Sequence, residues 1–395
     1  MRVAVVAGPD AGHAIPAIAL ARRLAAAGDD VVVFTGEPWQ RRWHRRTAGD
    51  ERVSLVVLPG LDRTGGDDTD AGARLSVRAA QMATDLLGPL AAQHVDLVVG
   101  DVITVCGGWA AEALGLPWVE LSPHPLYEPS RALPPIGSGL APGNGLRGRA
   151  RDAIMRTLTA RSRAEGERQR GAARTAIGLP ADAPGPAARL IATLPVLEVP
   201  RPDWPAHAHL VGPLLWEPTD TVFTPPAGDG PLVVVAPSTA ATGVPDLGQT
   251  VLTALDPALT GVPLRVVVSA LDVAVDTLPS WAVAGTARQD RVLAEASLVV
   301  CGGGHGMLAK SLAAGVPVVA VPGGGDQWEL ANRVRRAGVG ACVRPPDVTA
   351  VRAACLDVLG DARVAAAARQ AAAGVYDVDD PVAVCHAAAG ASRRD

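Results

Sequence analysis

Lysine is almost absent: Lys310 is the single lysine among 36 basic residues, and all the others are arginine. With 40 acidic side chains the formal net charge is −4. That balance argues against a nucleic-acid or anionic-membrane partner, either of which needs a basic face. Phenylalanine and tyrosine occur twice each, so an apolar pocket must be built from aliphatic side chains and some of the eight tryptophans. The five cysteines (Cys106, Cys301, Cys342, Cys355, Cys385) are odd in number and form no CxxC pair. Neither a disulfide framework nor a zinc site is indicated. No cluster of His, Cys and carboxylates has metal-ligand spacing, so no metal and no cofactor are expected. No apolar run reaches the roughly 18 residues a membrane span needs. Met1 and Arg2 lead directly into VAVVAG, without the long apolar core and cleavage site of a signal peptide. A cytoplasmic protein is the expectation.

What is present is ample core material: 48% hydrophobic against 19% charged residues in a chain of 395. Two or three domains with their own cores are expected. Short β-branched runs fall at 3–7, 31–35, 53–58, 97–100 and 118–121, with helical stretches between them, including 14–27 and 71–92. Such alternation predicts βαβ units and a parallel sheet. Residues 122–145 are rich in Pro and Gly and predict long loops over the sheet edge; an Arg-rich helix is expected at 146–177. The pattern restarts after a second Pro- and Gly-rich stretch. Strands are expected at 232–236, 264–269, 298–301 and 317–322, and helices at 247–259, 288–296, 306–314, 327–337, 348–359 and 362–373. The fold class is therefore α/β, two doubly wound Rossmann-like lobes facing across a cleft. The expected boundaries are 1–212 for the first lobe, 213–230 for the linker and 231–375 for the second lobe. The tail, 376–395, could form a helix packing back on the first lobe.

In the first lobe, the turn AGPDAGHAIP places His13 at the start of the first helix, and the fourth strand ends at Asp101. Ligands of doubly wound sheets sit outside the carboxyl ends of strands where the strand order reverses, and strands one and four are usually neighbours there. His13 and Asp101 should therefore meet, although they are 88 positions apart. A histidine oriented by a carboxylate makes a general base for a hydroxyl. Either residue alone could equally be a helix cap. His124 and Tyr127, in the loop after the fifth strand, could line an acceptor pocket or lie on a surface loop.

In the second lobe, a strand runs into Gly302, Gly303 and Gly304, and a helix follows from about Gly306. Glycines at a strand-to-helix turn let backbone N–H groups approach a phosphate, with the positive helix end behind them. The next strand ends at GGGDQ. Asp326 and Gln327 pair an acceptor with an amide, which suits sugar hydroxyls, although Asp326 could also be a helix cap.

With these segments the chain resembles a GT-B, family 1 nucleotide-sugar-dependent glycosyltransferase of the bacterial macrolide and antibiotic type, with a divergent donor motif. GHAIP matches the family's turn carrying the catalytic base, here His13, and Asp101 matches the residue that orients it. LAAGVPVVAVPGGGDQ matches the donor motif, whose Asp-Gln pair is here Asp326 and Gln327. APST matches the segment near the phosphates, implicating Ser238 and Thr239. RQDRVL resembles the nucleobase segment, implicating Arg288 and Gln289. Three positions depart from the family pattern: Gly302 stands where a diphosphate-binding His is usual, Met307 replaces a phosphate-contacting Ser or Thr, and Lys310 replaces the Glu that often holds the ribose. Thr286 stands where plant members stack a Trp on uracil. Lys310, with His305, is therefore expected either to supply part of the missing positive charge or, for Lys310, to stand solvated on the outer face of its helix.

The resemblance implies metal-independent, inverting transfer of a sugar from a UDP- or dTDP-sugar to a hydroxyl of a small, largely apolar acceptor. The alternatives are a non-catalytic homologue that binds a nucleotide or partners another transferase, and a transferase with a lipid acceptor.

Overall fold

The computed structural model describes residues 1–46, 51–61, 71–239, 243–269 and 278–391. Among these, thirteen strands form two wholly parallel sheets. The first sheet contains β1 (Arg2–Val6), β2 (Asp30–Thr35), β3 (Val53–Val57), β4 (Leu97–Asp101), β5 (Trp118–Ser122), β6 (Ala188–Ile191) and β7 (Ala208–Leu210). Their order is β3-β2-β1-β4-β5-β6-β7. The second contains β8 (Leu232–Ala236), β9 (Arg265–Ser269), β10 (Ala282–Gly285), β11 (Leu298–Cys301), β12 (Val318–Ala320) and β13 (Gly340–Cys342), in the order β10-β9-β8-β11-β12-β13. Helices cover both faces, so central strands are apolar on both sides; all five residues of β8 are buried. The strand order reverses between β1 and β4 and between β8 and β11, which makes two switch points.

The architecture is the doubly wound pair expected, with local differences. The short strands β6, β7, β10 and β13 and the helices Glu37–Arg46 and Cys106–Ala113 lie outside the runs picked out in the sequence. The first helix is Ala11–Ala26, starting three residues before the expected position and placing His13 within its first turn. The helix expected over 247–259 is two helices, Leu247–Ala254 and Pro257–Thr260. Pro257 has no N–H with which to continue the first, and Asp256 caps the second by accepting from the Ala258 N–H at 2.9 Å.

The Pro- and Gly-rich loop 122–145 reaches the second lobe at the helix Gln327–Arg336. Gly139 N–H donates to Glu329 Oε2 at 2.8 Å, Trp328 Nε1 donates to Ser138 O at 3.2 Å, and Arg336 donates to Gly139 O at 2.7 Å. Gly139 has φ +68°, and a Cβ there would overlap Trp328 Nε1 and lie 2.8 Å from Asn332 Nδ2. Gly139→Ala is therefore expected to lower stability by about 1–3 kcal/mol, through backbone strain and displacement of the helix. An unchanged thermal midpoint would show that this contact does not support the lobe arrangement.

The linker starts against the first lobe, where Trp216 packs on Trp39 and Trp43 at centroid distances of 6.4 and 6.0 Å. After the second lobe, the helix Pro381–Ala391 returns to the first sheet. Cys385, Ala388 and Ala389 enter the same core as Val119, Leu190 and Trp216, and His386 lies 2.8 Å from Asp29. Among the described residues, no helix is long and apolar enough to cross a membrane.

Candidate active site

The two switch points open on a shared cleft of about 350 Å³. On its first-lobe wall, the β1–helix turn and the end of β4 are adjacent because the two strands pair. His13 Nδ1 lies 2.6 Å from Asp101 Oδ1. Asp101 is buried, and its other oxygen accepts from the N–H groups of Thr104 (2.9 Å) and Ile103 (3.2 Å). A carboxylate at Nδ1 selects the tautomer with the proton there, leaving the Nε2 lone pair for another partner. Burial alone would lower the His13 pKa. The hydrogen bond and charge of Asp101, with the charges of Asp10 and Asp326, outweigh it and raise the value above that of an ordinary imidazole.

Across the cleft, β11 runs into the glycine turn and the helix His305–Ala313. Gly303 has φ +80°, and Gly302 packs so closely on Ser238 that an added Cβ would lie 3.0 Å from the serine Cβ. Gly304 is the N-cap and has no side chain to satisfy the first-turn N–H groups. Gly302, Gly304, His305, Gly306 and Met307 line the cleft, so the positive end of the helix faces it.

Two expectations about charge are corrected here. His305 Nε2 lies 2.7 Å from Thr193 Oγ1, a contact between lobes. Desolvation, aided by the neighbouring His124 and Arg333, pushes its pKa down to about 3, so it is neutral near pH 7 and brings no positive charge. Lys310 is not a solvated lysine either: it is 8% exposed. Its ammonium lies 2.8 Å from Glu217 Oε1 and 2.8 Å from Gln289 Oε1, so its charge is spent on the linker rather than at the glycine turn.

Of the nucleobase segment, Gln289 lines the cleft, whereas Arg288 does not. The Arg288 guanidinium is turned to Asp290, with Nε 2.9 Å from Oδ1. Asp326, Gln327, Ser238 and Thr239 all line the cleft. Gln327 Nε2 donates to Ser238 Oγ at 3.1 Å, and its carbonyl accepts from Gly323 N–H at 2.9 Å. Asp326 makes no side-chain cap; it accepts instead from the Tyr127 hydroxyl at 3.2 Å. Tyr127 stacks on His124 with centroids 4.3 Å apart. His124 lines the cleft, but Tyr127 stands behind it and bridges the lobes. Burial, reinforced by Asp326, holds the Tyr127 hydroxyl protonated well above its usual range, and burial lowers the His124 pKa. Beside His13 the wall is apolar, made by Ile15, Pro16, Pro123, Leu214 and Leu215.

Sequence reasoning missed Glu217, Ser269 and Thr193. The signal available for the first was Lys310 itself, since a lone lysine on a buried helix requires a carboxylate partner.

No family model matches the chain. It is 29% identical over 376 residues, 86% of each chain, to 4'-demethylrebeccamycin synthase of Lentzea aerocolonigenes. Its fold matches the glycotransferase of kitacinnamycin (TM-score 0.72, 22% identity, covering 100% of this chain and 98% of the other). It also matches the Streptomyces sp. SF2575 glycosyltransferase SsfS6 complexed with thymidine diphosphate (TM-score 0.65, 22% identity, 98% and 99%). Two facing doubly wound lobes, with this cleft between them, are the GT-B fold. In sequence and in fold the chain is similar to the family 1 nucleotide-sugar-dependent glycosyltransferases of the bacterial antibiotic type.

Proposed function

We propose that this enzyme transfers a sugar from a dTDP- or UDP-sugar, with inversion at the sugar carbon, to a hydroxyl of a largely apolar natural product. The observation that carries this is His13, fixed by Asp101 at 2.6 Å on the apolar wall of the cleft, opposite an uncapped helix end. The Nε2 lone pair takes the acceptor proton as the hydroxyl oxygen attacks the anomeric carbon. The nucleoside diphosphate leaves toward the glycine turn, whose N–H groups and helix end stabilise its charge. Asp326 and Gln327 face the transferred sugar. With Lys310 in place of a ribose-holding Glu, a deoxyribose donor suits the site, and SsfS6, of the same fold, binds thymidine diphosphate. The free thiols suit a reducing, cytoplasmic setting. No cation is needed where a helix end takes the leaving charge, so turnover in excess EDTA should match that in its absence; restoration by added Mg²⁺ would contradict this.

A pH profile tests the base. His13 must be neutral to accept a proton, and its pKa is raised. The kcat/KM should therefore fall, as pH drops, through a value above that of an ordinary imidazole. Asp101→Asn removes the main raising influence and leaves desolvation, so the acidic limb should move to lower pH while the plateau drops. A limb unmoved by this change would mean that another group titrates.

A further inference from the structure

We propose that the outer face of the helix Gly145–Ala176 docks on a membrane surface carrying anionic phospholipids. The helix has 32 residues and is about 48 Å long, whereas the strands of the first sheet have three to six residues and span about 20 Å at most. Its buried residues are Gly171, Ala173 and Arg174 near the far end and Asp152 in the earlier part. Much of the helix therefore overhangs the sheet. It links β5 to β6 and runs against these parallel strands, so the overhang lies toward their carboxyl ends, the side on which the cleft opens. On this stretch Leu146, Ala150, Ile154 and Leu158 recur every four residues, which places them on successive turns of one face. All four are exposed; Leu146, Ile154 and Leu158 are 86%, 61% and 74% open to solvent. Single exposed apolar residues are ordinary, but a ridge of them marks an interaction surface.

The charge of this stretch identifies the partner. Residues 145–163 hold six arginines and one acidic residue, Asp152, in a chain whose net charge is −4. The balance of the whole chain, which argued against an anionic membrane, averages over this local basic face. Asp152 is buried and is taken up by Arg151 and the Gly143 N–H, each at 2.7 Å. Arg156 donates to Leu133 O at 2.8 Å, and Arg163 lies 3.5 Å from Glu167. Arg147, Arg149 and Arg161 are exposed and have no carboxylate partner among the described residues. Arginines beside an outward apolar ridge make the amphipathic face that lies in the plane of a bilayer interface, guanidinium groups at the headgroups and aliphatic side chains below them. A second copy of this chain, meeting face to face, would set arginine against arginine, so the partner is anionic. The ridge is convex, and a bilayer moulds to it without a shaped groove. The bonds of Asp152 and Arg156, with that of Arg151 to Ala141 O at 2.7 Å, fix the helix to its preceding loop, so docking has little left to order.

The test is co-sedimentation of the full chain with vesicles of phosphatidylcholine alone and of phosphatidylcholine with an equal part of phosphatidylglycerol. The parent should partition onto the anionic vesicles at least about tenfold more strongly than onto the neutral ones, and the difference should shrink as salt is added. Arg147→Gln/Arg149→Gln/Arg161→Gln should weaken that partition about 100-fold, at roughly fivefold for each arginine. Leu146→Gln/Ile154→Gln/Leu158→Gln removes the apolar ridge with a good helix former at exposed positions and should weaken it by about tenfold or more. None of these six residues lines the cleft, so both variants keep the site intact. A parent that ignores anionic vesicles, or binds both kinds equally, overturns the proposal without reference to any variant. So does parent-like binding by either variant. Retention of the parent on immobilised heparin without binding to vesicles would assign the face to an acidic macromolecule and overturn the membrane as its partner.

Discussion

His13→Ala should abolish sugar transfer, lowering the rate by ~10²–10⁴-fold, while the protein keeps its fold and its affinity for the nucleotide. His13 belongs to the first turn of a helix that buries Ala14, Ala17, Ile18 and Leu20, so its side chain is not what seats that helix. Its partner Asp101 keeps two backbone N–H donors after the imidazole is gone, so the buried carboxylate is not orphaned. The loss should appear in kcat, with the donor Kd near that of the parent, because the glycine turn and the Asp326–Gln327 pair lie on the other lobe. Near-normal turnover with a hydroxyl acceptor, in a variant whose melting curve matches the parent, would remove His13 from the chemistry.

The largest stability effect is expected at Arg174, near the end of the helix Gly145–Ala176. It is fully buried, donates to Glu112 Oε2 at 2.6 Å and to Pro180 O at 2.9 Å, and lies over the Trp109 ring at 5.7 Å. Arg174→Met removes one half of a buried ion pair and strands the Glu112 carboxylate, which should cost about 3–5 kcal/mol. Combining it with Glu112→Leu removes both charges and should recover most of that loss, since apolar pairs of similar volume replace buried ion pairs well. Urea unfolding followed by tryptophan fluorescence reads both variants. A single variant as stable as the parent, or a double variant worse than the single, would show that the pair is not what fixes this helix to Trp109 and its neighbours.

The parts of this molecule that follow from runs and spacings were open to sequence reasoning. The central strands are continuous apolar runs because helices cover both sheet faces, and the pairing of β1 with β4 followed from the reversal of strand order usual in a doubly wound sheet. That pairing is why His13 and Asp101 could be joined across 88 positions. Edge strands of three or four residues, such as β7 and β13, carry too little periodicity to separate from turns. The cross-lobe contacts were beyond reach for another reason. Tyr127 reaching Asp326, Thr193 reaching His305 and Glu217 reaching Lys310 each join segments whose relative placement depends on how the lobes face one another. His305 illustrates the cost: its sequence position suggested charge, but enclosure makes it neutral.

The return of the helix Pro381–Ala391 to the first sheet has a consequence for the order in which the chain can fold. Cys385, Ala388 and Ala389 complete a core whose other members all precede β8. During synthesis the first lobe must therefore wait, with an apolar flank uncovered, until the whole second lobe has been made. The second lobe draws its strands from one uninterrupted stretch, β8 to β13, and can close as soon as it emerges. The lobe translated first is the one finished last.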